Sequence, residues 1–202
     1  IAGTEIREDV SKRVMPNISK QMNDSVDLLN HEEFLRGFME GIMGTESAIS
    51  NDSAIKIVEK QMKYYQESMM ERKYGHNRKA GEEFLKANLK NKDVKQTASG
   101  LQYKVITKGE GPVATNTQRV KVHYEGRLID GKVFDSSYKR GQPATFGVNQ
   151  VIKGWTEALT MMPAGSKWEL YIPQELAYGA REQNEIPAFS CLIFTVELRE
   201  VK

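Results

Sequence analysis

The sequence is poor in the residues that build covalent or metal-centred sites. It contains a single cysteine, Cys191, and three histidines in 202 residues. One cysteine excludes an intrachain disulfide and a zinc site built from several thiolates. The histidines His31, His76 and His123 are far apart in the chain, so we predict no metal cluster. No nucleophile–base pair can be identified either, and we predict neither a cofactor nor a metal.

Charge of one sign and long apolar runs are also missing. The chain has 29 basic and 27 acidic residues, which gives a net charge of +2. This balance argues against nucleic acid or an anionic membrane surface as the main partner. No apolar run approaches the roughly 18 residues that a transmembrane helix needs. Hydrophobic residues make up 39% of the chain, which is enough for a packed core.

Proline is nearly absent from the first half of the chain. Pro16 is the only proline before Pro112, and the other five prolines lie from there on. A stretch without proline can be largely helical, whereas one punctuated by proline and glycine and rich in Val, Ile, Tyr and Phe is typical of strands and turns. We therefore place a boundary near Asp93. The predicted division is a helical dimerisation region (1–50), a long connecting helix (51–93) and a C-terminal domain (94–202).

Apolar residues recur at helical spacing in the N-terminal half. They form three short stripes, which make a poor core for a monomer of this size. The pattern therefore predicts a homodimer that buries residues 1 to about 70. The stripes are Val10, Val14, Ile18, Met22 and Val26; Phe34, Leu35, Phe38, Met39, Ile42 and Met43; and Ile55, Val58, Met62, Tyr65 and Met69.

The third stripe begins a long predicted helix, from residue 52 to 91. At 1.5 Å per residue its length is roughly 60 Å. Residues 71–79 are polar on almost all sides, which is typical of a helix that bridges domains through solvent. An alternative is a break at Gly75 or Gly81 that gives two helices.

Alternation of apolar and polar residues predicts strands after residue 93. One short segment between them, from Trp155 to Met161, is long enough for a helix. An antiparallel sheet with one helix on its face is an α+β domain. The predicted strands are Leu101–Thr107, Arg119–Gly126, Trp168–Ile172 and Leu192–Leu198.

Aromatic and aliphatic residues dominate what remains for a functional site. By composition alone they would be core residues, with Asp135 directly after one of them. His123 is best explained as a structural or exposed residue and Cys191 as an inert one. The apolar set is Tyr124, Phe134, Phe146, Val151, Ile152, Trp155, Tyr178, Ile186 and Phe194.

Several motifs in this region resemble those of the FKBP-type peptidyl-prolyl cis–trans isomerases. They occur in order and with compatible spacing between about residue 99 and the end of the chain. The N-terminal half, with Ala80–Leu85 before Ser99–Val105, is similar to the bacterial Mip-like group. The motifs are Val122–Gly126, Gly131–Ser137, Val151–Trp155, Met162–Gly165, Leu176–Ala180 and Ile186–Phe194.

The resemblance implies a half-barrel antiparallel sheet wrapped on a short helix, with an apolar pocket for proline between them. Asp135, Tyr178, Phe134 and Trp155 would be the catalytic residues, with Trp155 as the pocket floor. Tyr178 would hydrogen-bond the substrate, the Ile152 N–H would bind a carbonyl next to proline, and Arg140 would orient Asp135. The substrate-binding residues would be Tyr124, Phe146, Val151, Ile152, Ile186 and Phe194.

The resemblance also carries expectations about partners and location. It implies a homodimer formed by the N-terminal helices, unfolded or partly folded proline-containing client proteins, and binding of the family's macrolide inhibitors. It implies a periplasmic or outer-membrane-associated protein, with the cytoplasm as the alternative; the start at Ile1 is compatible with a removed leader. A second functional hypothesis is a dimeric chaperone whose isomerase pocket is secondary.

Two positions depart from the family pattern. Phe189 stands where a small or polar residue is usual, and we expect it to narrow or extend the pocket rim. The loop Arg181–Glu185 is polar and lacks the glycines often found there. The change in this loop bears on the mobility of the flap and on which residue is preferred before proline.

Overall fold

A long helix and a seven-stranded sheet make up most of the described chain. Apart from four positions before residue 51, the computed structural model describes residues 51–202. The chain divides into two compact units, residues 1–62 and 63–202, and the sheet and the last part of the long helix belong to the second. The two predicted stripes before residue 44 lie outside the described residues. So do the third-stripe side chains of Ile55, Val58, Met62 and Tyr65.

The long helix, α1, runs without interruption from Asn51 to Asn88. The alternative of a break at Gly75 or Gly81 is therefore wrong. Gly81 is buried, and a Cβ atom there would lie 2.9 Å from Cβ of Cys191, so glycine allows the helix to approach the sheet closely. No helix within residues 51–202 is long and apolar enough to cross a membrane.

The polar segment of α1 is only partly exposed, because one side of it contacts the rim loop between β6 and β7. Lys73 Nζ lies 3.3 Å from Oε1 of Glu182, and Asn77 Nδ2 donates to the carbonyl oxygen of Ala188 at 3.1 Å. Both partners belong to the C-terminal domain. These contacts were not predicted, because a polar pattern does not distinguish solvent from polar groups of the same chain.

Seven strands form one antiparallel sheet in the order β1-β2-β6-β7-β3-β4, with β5 also paired to β3. The four predicted strands and the short helix are present. The three strands that the pattern missed have only three or four residues, too few for alternation to be recognised. The elements are β1 Val94–Gln96, β2 Gln102–Thr107, β3 Arg119–Leu128, β4 Val133–Ser136, β5 Ala144–Gly147, α2 Lys153–Leu159, β6 Lys167–Ile172 and β7 Leu192–Val201.

One face of the sheet packs on α2 and forms the main core. Side chains alternate along β6 and β7, so Leu170 and Ile172 face α2 together with Leu192. From the helix, Trp155, Ala158 and Leu159 complete this core. An α+β fold with the sheet packed on one short helix follows, as the family resemblance implied.

The opposite face of the sheet receives the end of α1. Tyr171 and Ile193 are paired in register and point away from α2. Phe84 of α1 packs there, with its ring centroid 6.1 Å from that of Tyr171. Buried Gln102 donates to the Leu85 carbonyl oxygen at 3.0 Å and accepts from Asn88 at 3.0 Å, which satisfies polar groups at the helix end.

Candidate active site

One cavity of about 810 Å³ opens between α2 and the sheet. Strands β3, β4, β5 and β7 contribute its walls, and the start of α2 contributes its floor. All ten residues predicted for the site line this cavity, although they span 71 positions of the sequence. They are Tyr124, Phe134, Asp135, Phe146, Val151, Ile152, Trp155, Tyr178, Ile186 and Phe194.

Trp155 forms the floor of the cavity, is surrounded by aromatic side chains and is 4% exposed. Three rings meet its indole edge to face, at centroid distances of 5.2 Å for Tyr124, 5.8 Å for Phe146 and 5.3 Å for Phe194. Perpendicular packing of this kind is the favoured geometry for aromatic pairs. The rings therefore pack against one another, and this part of the cavity surface is apolar.

Gly126 on β3 is a site residue that the sequence analysis missed. A Cβ atom at this position would lie 2.5 Å from Cε1 of Phe194 and 2.6 Å from Cε2 of Phe134. The two rings pack edge to face with centroids 5.5 Å apart. Only glycine at this position leaves room for the two rings to pack against the backbone of β3. Its place in the motif Val122–Gly126 was the only sequence signal.

Asp135 holds the polar edge of the cavity through two contacts. The Tyr124 hydroxyl donates to Oδ2 at 2.5 Å, and Arg140 Nη1 donates to Oδ1. Arg140 Nη2 also donates to the Tyr124 hydroxyl oxygen at 2.8 Å, which closes a triangle. Arg140 therefore contacts Asp135 as the resemblance implied, whereas the role of Tyr124 as a hydrogen-bond donor was not predicted.

The ionisation of these groups follows from their surroundings. Burial opposes the charged form of Asp135, but the hydrogen bonds from Tyr124 and Arg140 outweigh it and lower its pKa. Burial, followed by the hydrogen bond to Asp135, raises the pKa of Tyr124. At neutral pH the edge thus consists of a carboxylate, a guanidinium and a neutral phenol.

Two hydrogen-bond donors on the cavity wall remain available for a ligand. Within residues 51–202, neither the Tyr178 hydroxyl nor the Ile152 N–H has a hydrogen-bond partner. Burial, with a smaller contribution from the charge of Asp135, raises the pKa of Tyr178, so its hydroxyl stays protonated and can donate. A peptide carbonyl is a suitable acceptor for each donor.

The outer rim of the cavity comes from the segment between β6 and β7. Gln183 and Ile186 exchange backbone hydrogen bonds of 3.0 and 2.9 Å across a tight turn, and Asn184 within it has a φ of +50°. Polarity alone did not assign these loop residues to the cavity. The lining residues absent from the prediction are Gln150, Ala177, Arg181, Gln183, Asn184 and Glu185.

Phe189 does not lie on the cavity rim, so the expectation for this residue was wrong. Its side chain is buried on the other side of the loop, where the Arg78 guanidinium of α1 lies 4.2 Å from the ring centroid. Nothing in the sequence pattern pairs these residues, which are 111 positions apart.

The remaining candidate groups have structural surroundings. Cys191 is buried against α1, and burial raises the pKa of its thiol to about 12, which keeps it protonated. His123 Nδ1 lies 3.0 Å from Oγ of Ser137, and its ring stacks on Tyr138. Neither residue lines the cavity.

Two family models match the chain. The model described as FKBP-type peptidyl-prolyl cis-trans isomerase matches residues 111–199, and the model described as the domain amino terminal to it matches residues 8–105. The FKBP-type 22 kDa peptidyl-prolyl cis-trans isomerase of Escherichia coli is 44% identical over 91% of this chain and 90% of its own length. The outer membrane protein MIP of Legionella longbeachae is 37% identical over 98% and 87%, respectively.

Solved structures are similar as well. The crystal structure of FkpA from Escherichia coli aligns with a TM-score of 0.65 and 34% identity, over 98% of this chain and 94% of that one. An isomerase from Pseudomonas syringae aligns with a TM-score of 0.60 and 41% identity, over 64% and 96%, respectively.

Proposed function

The chain belongs to the FKBP-type peptidyl-prolyl cis–trans isomerases, and on this premise we propose that X–Pro segments bind in the cavity floored by Trp155. The activity is isomerisation of the peptide bond before proline. The observation that carries the proposed site is the enclosure of Trp155 by three perpendicular rings beside two unpaired donors. The pyrrolidine ring of proline is compact and apolar and suits such a surface.

The chemistry requires no acid, base or nucleophile. Rotation about the X–Pro bond must overcome a barrier of about 18–20 kcal/mol, which arises from the partial double-bond character of the C–N bond. The planar amide is resonance-stabilised and more polar than the twisted amide. An apolar wall with few donors therefore disfavours the planar state relative to the twisted state.

We assign the polar groups of the cavity to positioning the substrate. Tyr178 and the Ile152 N–H donate to carbonyl oxygens on either side of the X–Pro bond. Asp135, held ionised by Arg140 and Tyr124, places negative charge at the edge where the twisting amide sits. Phe134, Phe146 and Phe194 exclude water from the amide.

A proline-peptide isomerisation assay tests this assignment. Tyr178→Phe combined with Asp135→Leu should lower kcat/KM by about tenfold or more, because each lost polar contact is worth roughly 1 kcal/mol. Tyr138→Phe is the matched control, since this exposed tyrosine bonds Glu197 away from the cavity at 3.0 Å. An unchanged rate for the double variant would show that the pocket assignment is wrong.

We further propose that residues 1–50 form a homodimer and that residues 51–93 connect it to the catalytic domain, residues 94–202. We also propose that the protein acts on proline-containing clients in the periplasm or at the outer membrane. The match of an N-terminal family model to residues 8–105 supports the division. The name of the MIP relative, an outer membrane protein, supports the location. The family's macrolide inhibitors would bind the same cavity.

A further inference from the structure

Three contacts join α1 to the loop that forms the cavity rim. Lys73 pairs with Glu182, Asn77 donates to the Ala188 carbonyl oxygen, and Arg78 covers the ring of Phe189. We call the last two contacts the clasp. The ion pair is exposed and contributes little, whereas the groups of the clasp are half-buried or buried.

The clasp holds a strained residue. Phe189 has a φ of +59°, a left-handed conformation that is unfavourable for a side chain of this size. Such a conformation persists only where its surroundings hold it. Here the ring is 4% exposed beneath the Arg78 guanidinium, and the Phe189 N–H donates to the Gly179 carbonyl oxygen at 2.8 Å.

Arg78 is itself oriented from within α1. Its Nη2 donates to Oε2 of Glu71 at 2.7 Å, two turns earlier on the helix. Glu71 reaches it by lying over Gly75, where a Cβ atom would be 2.6 Å from its Oε1. The guanidinium is therefore placed over Phe189 by the helix.

A short, stiff path connects the clasp to the cavity. Ile186, which lines the cavity, precedes Pro187, whose ring fixes φ, and Ala188 and Phe189 follow directly. Ser190 Oγ donates to the Pro187 carbonyl oxygen at 2.8 Å. A displacement at Ala188 is therefore transmitted to Ile186 and the turn that contains Asn184.

We propose that α1 positions the rim of the proline pocket, with Asn77 and Arg78 as positioning residues that act through Ala188 and Phe189 on Ile186 and Asn184. The inference rests on the cavity being the substrate site. It makes the end of the connecting helix part of the apparatus that sets substrate affinity and the preference for the residue before proline.

Full-length variants test the clasp. Asn77→Asp replaces the donor to Ala188 by an acceptor of the same size, and Arg78→Leu removes the cation over Phe189. Each should lower kcat/KM for proline tetrapeptides by about threefold to tenfold, mainly by raising KM, and to different extents for different residues before proline. Amide NMR signals of Asn184 and Ile186 should shift. Lys79→Leu, an exposed neighbour on the same helix, should change none of these.

Conservative variants separate positioning from a general loss of stability. Phe189→Tyr keeps an aromatic ring under the guanidinium and should retain KM, whereas Phe189→Leu should behave like Arg78→Leu. A uniform loss of stability would not change the preference before proline.

Two results would overturn the proposal. One is faster amide hydrogen exchange at Ile186, Ala188 and Phe189 in the clasp variants with kcat/KM unchanged. The other is unchanged exchange there, which would mean that the helix does not hold the loop. Trp155→Leu, measured in the same series, separates this proposal from the pocket assignment. A normal rate for that variant contradicts the pocket, while a low rate with normal clasp variants contradicts the clasp alone.

Discussion

Asp135 places a negative charge beside the aromatic rings of the cavity. Burial alone would favour its neutral form, but Tyr124 and Arg140 both donate to its carboxylate. The outcome is a pKa below the usual value of the carboxyl group. Burial also raises the pKa of its neighbours Tyr124 and Tyr178, because it disfavours the phenolate. In these two residues no stronger effect lowers the pKa again, so both phenols have pKa values above the usual value.

The lowered pKa of Asp135 links stability to acid pH. The pKa of Asp135 in the folded protein lies below the unfolded value of about 3.9. The ionised carboxylate therefore stabilises the folded protein above that pH, and this stabilisation is lost as pH falls through the folded pKa. We expect Asp135→Asn to lower the free energy of unfolding at pH 6 by less than about 1 kcal/mol, the range for a partly exposed ion pair. The difference in stability from the unmodified chain should shrink as pH falls through the folded pKa of Asp135.

Urea unfolding at several pH values measures this effect. Asp130→Asn, a change of a carboxylate in an exposed turn, is the matched control. A difference between Asp135→Asn and the unmodified chain that stays constant from pH 6 to pH 2 would contradict the assigned ionisation.

At the scale of elements, α1 is a part of the catalytic domain's packing as well as a connection. Its last turns place Phe84 and Leu85 on the face of the sheet opposite to α2. One turn earlier, Gly81 allows contact with Cys191, directly before β7. The helix is therefore in contact with both the sheet and the rim loop.

Two glycine substitutions in α1 should have different effects. Replacing glycine in a helix normally gains up to about 1 kcal/mol. Gly81→Val should instead destabilise the protein by about 1–3 kcal/mol, because its Cβ would overlap the Cys191 side chain and overpacking costs that much. Gly75→Ala should be close to neutral, since its Cβ meets only the flexible end of Glu71.

The midpoint and slope of urea unfolding measure both changes. If Gly81→Val is as stable as Gly75→Ala, the close approach of α1 to Cys191 does not exist in solution. A lower free energy of unfolding in both variants would instead indicate that α1 tolerates no added side chain at either glycine.

At the scale of the whole molecule, the proposed dimer depends on residues before 51. The stripe that includes Phe34, Phe38 and Ile42 is too short to form a core alone. A second copy would cover it and bring two catalytic domains to one client. All the described residues that line the cavity lie within positions 124–194 of one chain, so we expect peptide isomerisation to need no second copy.

We expect the full chain to sediment at twice its monomer mass at micromolar concentration. Phe38→Asp should produce a monomer, because a buried unpaired carboxylate in the apolar seam is costly. The monomer should isomerise short peptides normally and accelerate refolding of a proline-limited protein less. Lys56→Gln, at an exposed position of α1, is the control. Equal refolding rates for monomer and dimer would remove any role for dimerisation.

The local sequence determined the elements of this fold and the composition of its site. The proline distribution predicted a helical half and a half of strands and turns, and alternation predicted four strands, because both signals depend on neighbours within a few residues. Motif resemblance supplied ten of the sixteen residues that line the cavity, although composition alone did not distinguish them from a core. The missed strands β1, β4 and β5 are too short to carry a period.

Only the tertiary structure decided what those elements contact. In the folded chain, Asn77 in the polar segment of α1 contacts the rim loop, and the ring of Phe189 packs under Arg78 and not on the cavity rim. Likewise, Gly126 proved necessary because two rings approach its backbone. Each of these outcomes joins elements that are distant in the chain. Periodicity records which side of an element is apolar, whereas the identity of the group that covers it depends on how the whole chain packs.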